Sequence, residues 1–223
     1  MPVLVFDVNE TLLDLSILRP GFDEAFGDGE GAMREWFLTL LHASGVANQL
    51  DRYEAFGRLG AQALQNTASR RSVKLTEAEA GALLAPFRAL PPHPDVVPGL
   101  ALLKDAGVRM AALTNTSYDS LVDVLTGAGV AHFMERLLSV DEVRRFKPAP
   151  EVYLMAADKL GIAASDMIMV AAHDWDLMGA RAVGVGTAFI SRPGSVWSFP
   201  DESPDYEGGD LIEVASQIIA DLS

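Results

Sequence analysis

One apolar segment, residues 3–6, is cut off from every later strand-like segment by residues 20–90, which show no strand-like alternation. Within that stretch the apolar positions instead repeat at about 3.6 residues, the period of a helix. Met33, Trp36, Phe37, Leu40 and Leu41 form one stripe, and Tyr53, Phe56, Leu59, Gly60 and Ala63 a second. Thr76-Glu77-Ala78-Glu79 is a capping box that predicts a third helix over 77–90, and Pro91-Pro92-His93-Pro94 ends it. Beyond the prolines the texture changes. Strands are predicted at 110–114, 137–139, 167–171 and 187–190, and helices at 98–106, 118–128, 150–160, 177–183 and 211–222, the last capped by Asp210. Apolar strands alternating with helices make a parallel sheet covered on both faces. The expected fold is therefore α/β: a doubly wound, mainly parallel sheet with a helical cap inserted after the first strand. Residues 1–14 and 94–223 would form the core and 15–93 the cap. Ligands of such sheets bind beyond the carboxyl ends of the strands, and an insertion at that edge would exclude water and select substrate.

Charge narrows the range of partners. The 223 residues carry 17 Lys and Arg against 31 Asp and Glu, a net charge of −14. An acidic surface argues against nucleic acid and anionic membranes as partners. Any anion site would have to be local, made of backbone amides or a single Arg or Lys. No apolar run approaches the roughly 20 residues of a membrane helix, and the N-terminus runs into a strand without a basic leader, so the expected location is cytoplasmic. Cysteine is absent, which removes disulfides and thiolate metal sites. His42, His93 and His132 are scattered and suggest no metal centre.

Four polar groups fall at the predicted strand ends. Asp7 closes the first strand, with Thr11 four residues on. Such a carboxylate is rigid behind and open in front, as a nucleophile requires. Thr114-Asn115 closes a later strand. Lys147 lies in Phe146-Lys147-Pro148-Ala149-Pro150, before a helix. His173-Asp174-Trp175-Asp176 follows the strand at 167–171.

In this order and spacing the four resemble the haloacid dehalogenase superfamily, over nearly the whole chain. The resemblance implies Asp7 as nucleophile with Thr11 beside it, Thr114 as the second-motif hydroxyl, Lys147 as the third-motif lysine and Asp176 as the distal acid. Most of that superfamily are magnesium-dependent phosphotransferases, with a second Asp two residues after the nucleophile and a metal-binding acid four residues before the distal Asp. Here those positions are Asn9 and Ala172. A phosphoryl group needs Mg²⁺, and Mg²⁺ needs carboxylate oxygens. The chain is more similar to the type II 2-haloacid dehalogenases, which use no metal or cofactor. Arg34 beside Trp36, Asn115 after Thr114, Tyr153 six residues after Lys147, and Trp175-Asp176 all look like that branch.

The implied reaction is hydrolytic dehalogenation of short 2-haloalkanoic acids to 2-hydroxy acids. Asp7 would displace the halide and form an ester, Lys147 would keep Asp7 ionised, and Thr11 and Thr114 would orient carboxylates. Amides of Val8 and Asn9 would hold the substrate carboxylate. Arg34 and Asn115 would stabilise the halide, with Tyr153 also at the substrate and halide site. Asp176, or His173, would activate water. The resemblance also implies a homodimer. Two other readings remain: a magnesium-dependent phosphatase of small esters, and a non-catalytic small-acid-binding homologue. Local alternatives stand beside the roles as well. Asp176 caps a helix at 177, His173 bonds neighbouring backbone, Arg34 is a solvated helix-face residue, and Tyr153 packs toward the sheet. The acids of 201–207 read as solvated loop. Asn9-Glu10 and Ala171-Ala172-His173 depart from the type II pattern and leave the water-activating group open.

Overall fold

The computed structural model describes residues 1–222 and divides the chain into two compact units, Met1–Asp14 with Pro91–Ser223, and Leu15–Leu90. Residues 91–93 go with the first unit, because Asp14 N donates to Pro91 O at 2.8 Å and His93 N to Leu12 O at 3.0 Å.

The first unit is built on six parallel strands. They are β1 (Val3–Phe6), β2 (Arg109–Thr114), β3 (Arg136–Ser139), β4 (Met167–Ala171), β5 (Gly186–Ile190) and β6 (Tyr206–Gly208), in spatial order β3-β2-β1-β4-β5-β6. This is the α/β fold expected. Chain order reverses at β1, which lies between β2 and β4, and such a switch point opens a crevice at the strand ends. β1 and β4 are buried along their whole length, as their unbroken apolar runs require. Phe6 is in register with Ala112 and Val170, so Asp7, Thr114 and Ala171 emerge at one edge.

Among the described residues, five α-helices belong to this unit and four to the other. In chain order they are α1 (Arg19–Phe26), α2 (Gly29–Gln49), α3 (Phe56–Arg70), α4 (Glu77–Leu84), α5 (Val96–Asp105), α6 (Tyr118–Gly127), α7 (Pro150–Leu160), α8 (Asp174–Arg181) and α9 (Leu211–Asp221). In the Leu15–Leu90 unit, α1 and α3 pack against α2 around Trp36, whose indole N–H donates to Gly60 O at 2.9 Å and whose ring lies 5.5 Å from that of Phe22. The capping box forms: the Thr76 hydroxyl accepts from Glu79 N, and the Glu79 carboxylate accepts from Thr76 N. α4 is nevertheless shorter than the expected 77–90, because Pro86 lacks an N–H and the chain tightens into a 3₁₀ turn over Ala85–Ala89.

Two other expectations change. Tyr206–Gly208, read as solvated loop, is the edge strand β6, pinned where Asp205 accepts from Thr187 N at 2.7 Å. And α8 begins at Asp174, three residues earlier than predicted, so Asp176 lies inside its first turn instead of capping it.

Candidate active site

The edge where β1, β2 and β4 end gathers most of the buried polar side chains of the core unit. Asp7 is anchored by its own N–H, which donates to Val170 O at 2.9 Å and so carries the ladder one residue past β1. Lys147 Nζ donates to Asp7 Oδ1 at 2.7 Å, to Asp176 Oδ2 at 2.7 Å and to Leu113 O at 3.1 Å. An ammonium has three protons, and each has an acceptor here. The Lys147 main chain is itself held, since its N–H donates to Asn115 Oδ1 at 2.9 Å. The other oxygen of Asp7, Oδ2, accepts from Thr11 Oγ1 at 2.7 Å, and that hydroxyl accepts from Ala172 N at 2.9 Å. Thr11 thus ties the loop after β1 to the loop after β4.

Asp176 is fully enclosed. Its Oδ1 accepts from the Tyr153 hydroxyl at 2.6 Å, and that hydroxyl also lies 2.9 Å from Asp176 O. Gly179 permits this approach, because a Cβ there would come within 2.7 Å of the Tyr153 hydroxyl and 2.5 Å of Pro148 Cβ. His173, the residue before α8, faces two carboxylates. Its Nδ1 lies 3.3 Å from Asp7 Oδ2 and its Nε2 2.9 Å from Glu10 Oε2, while the Trp175 ring lies tilted beside it at 5.3 Å.

These distances set the ionisation states. Burial opposes a charge on Asp7, but the Lys147 charge and the His173 hydrogen bond outweigh it and hold the carboxyl well below the usual range. Burial also opposes a charge on Lys147, yet Asp176 and Asp7 together raise its pKa. For Asp176 burial dominates, and with the nearby Asp7 charge it moves the group upward. Burial lowers His173 less than its bonds to Asp7 and Glu10 raise it, and it titrates at about 10. Tyr153 is pushed well above its ordinary value by burial and by the Asp176 charge. At neutral pH the site therefore holds an ionised Asp7 between an ammonium and an imidazolium.

The side chains of Asp7, Thr11, Lys147, Tyr153, His173 and Asp176 thus form one connected network. Val8 and Asn9 follow Asp7 in the same buried turn. Thr114 stands apart: its hydroxyl lies 3.0 Å from Thr116 Oγ1 and accepts from Thr116 N at 3.2 Å, so it shapes its own loop and bonds no carboxylate. Asn115 and Tyr153, expected at the halide, are engaged with the Lys147 backbone and with Asp176. Arg34 belongs to the other unit, where it is exposed on α2 and borders a shallow depression with Leu38, His42 and Arg70. Among the described residues, no three His, Asp or Glu converge as ligands for a metal ion.

Two contributors escape sequence reasoning. Glu10 reads there only as a departure from a pattern. Arg192 has no motif at all, yet it is buried, donates to Thr11 O at 2.9 Å and pairs with Asp95 at 2.6 Å. An arginine before a proline, after the fifth strand, carries no signal of so distant a partner.

An aspartate at the tip of the first strand, with a lysine and a distal acid converging on it, is the arrangement expected of a hydrolase of the haloacid dehalogenase type. The chain belongs to the haloacid dehalogenase-like hydrolase family, whose model matches residues 1–184. It is 32% identical to an (S)-2-haloacid dehalogenase of Pseudomonas sp. (strain YL), over 92% of this chain and 88% of the relative. It is 28% identical to haloacetate dehalogenase H-2 of Moraxella sp. (strain B), over 91% of each chain. A crystal structure of an L-2-haloacid dehalogenase superposes with a TM-score of 0.93 at 26% identity, over 99% of both chains.

Proposed function

We propose that this protein hydrolyses short 2-haloalkanoic acids to 2-hydroxy acids through an ester on Asp7, without a metal ion. The observation that carries the reading is the Lys147 bridge. Its ammonium is the positive charge beside Asp7, 2.7 Å from that carboxylate and from Asp176, and at the two positions where a magnesium-dependent relative carries acids this chain has Asn9 and Ala172. Asp7 is kept ionised and desolvated, as a carbon nucleophile should be. The dehalogenase names of its relatives point the same way.

In the first step Asp7 attacks the carbon bearing the halogen from the side opposite the halide. A C–O bond forms as the C–X bond breaks, and the bonding pair leaves with the halide. Thr11 and Lys147 hold the carboxylate in the attacking orientation. The amides of Val8 and Asn9 bind the substrate carboxylate, and Arg34 and Asn115 stabilise the halide, with Tyr153 supporting the site through Asp176. In the second step water attacks Cγ of Asp7 and frees the product. We further propose a cytoplasmic homodimer. A chain without cysteine suits a reducing compartment, and exposed Leu38 and Val46 on α2, with Leu50 just past its end, offer apolar surface. Light scattering of the purified protein tests the dimer.

Halide release from chloroacetate, bromoacetate and the two 2-chloropropionates, with and without chelator, tests the activity. Release from the (S) enantiomer is expected and is unchanged by chelator; a requirement for Mg²⁺ would sink the reading. After a single turnover in H₂¹⁸O, label should appear in Asp7. For Arg34, an Arg34→Met variant that releases halide at the wild-type rate removes the residue from the site.

A further inference from the structure

Hydrolysis of the ester needs a base next to Cγ of Asp7, and Asp176 is badly placed for it. Its carboxylate is fully buried, with one oxygen bonded to Lys147 and the other to Tyr153. His173 differs on both counts. Its side chain is 12% exposed, so water and protons reach it, and Nδ1 points at the Asp7 carboxyl from 3.3 Å.

We propose that Glu10 and His173 form the base of the hydrolytic half-reaction, His173 Nδ1 taking the proton from water while Glu10 fixes the ring through Nε2. His173 is the catalytic residue and Glu10 a positioning residue. The inference rests on the ester chemistry proposed above.

The backbone supports a dedicated role for Glu10. Its φ is +60°, in the left-handed region that favours glycine. A charged side chain kept at such a position points to a function for that side chain. Its main chain is fixed on both sides, N–H to Leu13 O at 2.9 Å and the carbonyl 3.2 Å from His93 Nε2. The carboxylate is thereby aimed at the imidazole, as a buried acid orients a histidine in a hydrolytic triad.

Charge then gates the base. Asp7 and Glu10 face the imidazole, with Lys147 and Asp176 one contact behind Asp7. Asp174 turns away to accept from Ser198 N at 3.1 Å, and Arg192 is occupied with Thr11 O and Asp95. In the free enzyme two anions keep His173 protonated. Esterification removes the Asp7 charge, so the Nδ1 proton leaves to solvent while Nε2 keeps the proton it donates to Glu10. Neutral Nδ1 then accepts a proton from water as its oxygen attacks Cγ. When the bond from Cγ to the alkoxy oxygen breaks, the same proton passes to the departing alkoxide. The Asp7 carboxyl returns its own proton to His173 and restores the starting state. Summed with the first step, haloacid and water give hydroxy acid, halide and one proton.

Single-turnover experiments with (S)-2-chloropropionate separate the two steps, reading halide release and intact protein mass. His173→Gln and Glu10→Gly should each release one equivalent of chloride and accumulate the ester on Asp7, with hydrolysis slowed about 100-fold or more. Glu10→Gly relieves the φ of +60° while losing the partner of Nε2, and its release of one equivalent of chloride shows that the site is folded, so its defect in the second step cannot be assigned to misfolding. In Glu10→Gln the acid limb of ester hydrolysis should move to lower pH, a shift that a purely structural role would not produce. Wild-type ester hydrolysis in either of the first two variants overturns the proposal. So does a folded variant that releases no chloride at all. No chloride release by the wild-type protein from any haloacid is a separate result that removes the dehalogenase reading itself.

Discussion

Lys147 in the core unit and Arg71 in the Leu15–Leu90 unit each hold two carboxylates, in opposite surroundings. Lys147 is 1% exposed and lies 2.7 Å from Asp7 and from Asp176. Arg71 is 26% exposed, 3.0 Å from Asp28 and 2.8 Å from Glu35. The Arg71 cluster stays hydrated and adds little to folding, though Asp28 also caps α2 by accepting from Gly31 N at 3.0 Å. The Lys147 cluster has given up water on all sides, and desolvation of that kind can exceed the Coulombic gain. Its persistence in the core is a mark of chemistry, since stability alone would be served as well by apolar side chains of the same volume.

The difference should be largest when each cation is removed. Lys147→Met leaves two carboxylates buried without a counterion, a change that costs about 3–5 kcal/mol. Urea unfolding should show that loss and its partial recovery in mild acid, and halide release should vanish; a variant as stable as wild type would dissolve the contrast. Next comes pH. His173 titrates near 10 in the folded protein against 6.5 for an ordinary histidine. Its stabilisation is complete below about pH 6.5 and is lost as pH rises toward 10, at most about 5 kcal/mol in all. His173→Gln should flatten that alkaline decline in a series of melting curves. Asp7, shifted the other way, contributes above the usual carboxylate range and loses its part only as acid is added, outside this window. Smaller again is Tyr153→Phe, which leaves Asp176 Oδ1 without its hydroxyl donor and should cost about 1–3 kcal/mol, read as a lower urea midpoint. Smallest is Arg71→Met, whose effect on the melting temperature should be slight and should disappear in high salt.

How much of this was legible in the sequence follows the range of the forces involved. The strands β1, β2 and β4, their parallel arrangement, the strand-end position of Asp7 and the order of Lys147 and Asp176 after it are written in apolar runs and local punctuation. The edge strand β6 is not, because only Gly208 of its three residues is buried and the segment is rich in acids. The start of α8 was missed because Asp174-Trp175-Asp176 lacks an apolar period, although two acids in a first turn favour a helix there. Side-chain direction was the least legible. Tyr153 turns to Asp176, Thr114 turns to its own loop, and Arg192 reaches across to Asp95, 97 residues away in sequence. Each is settled by packing between distant segments. Glu10 is the sharpest case: the sequence shows a glutamate, and only the backbone shows that it occupies a glycine's conformation.

The Thr11 hydroxyl gives one hydrogen-bond chain a fixed direction. Because Ala172 N–H points into its oxygen, its own proton is committed to Asp7, and Lys147 presents a second proton to the other oxygen of the same carboxylate. Every neighbour of Asp7 along this path is a giver. An amide at that position would turn an NH₂ toward one of them, so asparagine there is a mismatch in polarity as well as a loss of charge. The pocket is thus matched to an anion whose two oxygens only receive, and it enforces that identity even when no substrate is near.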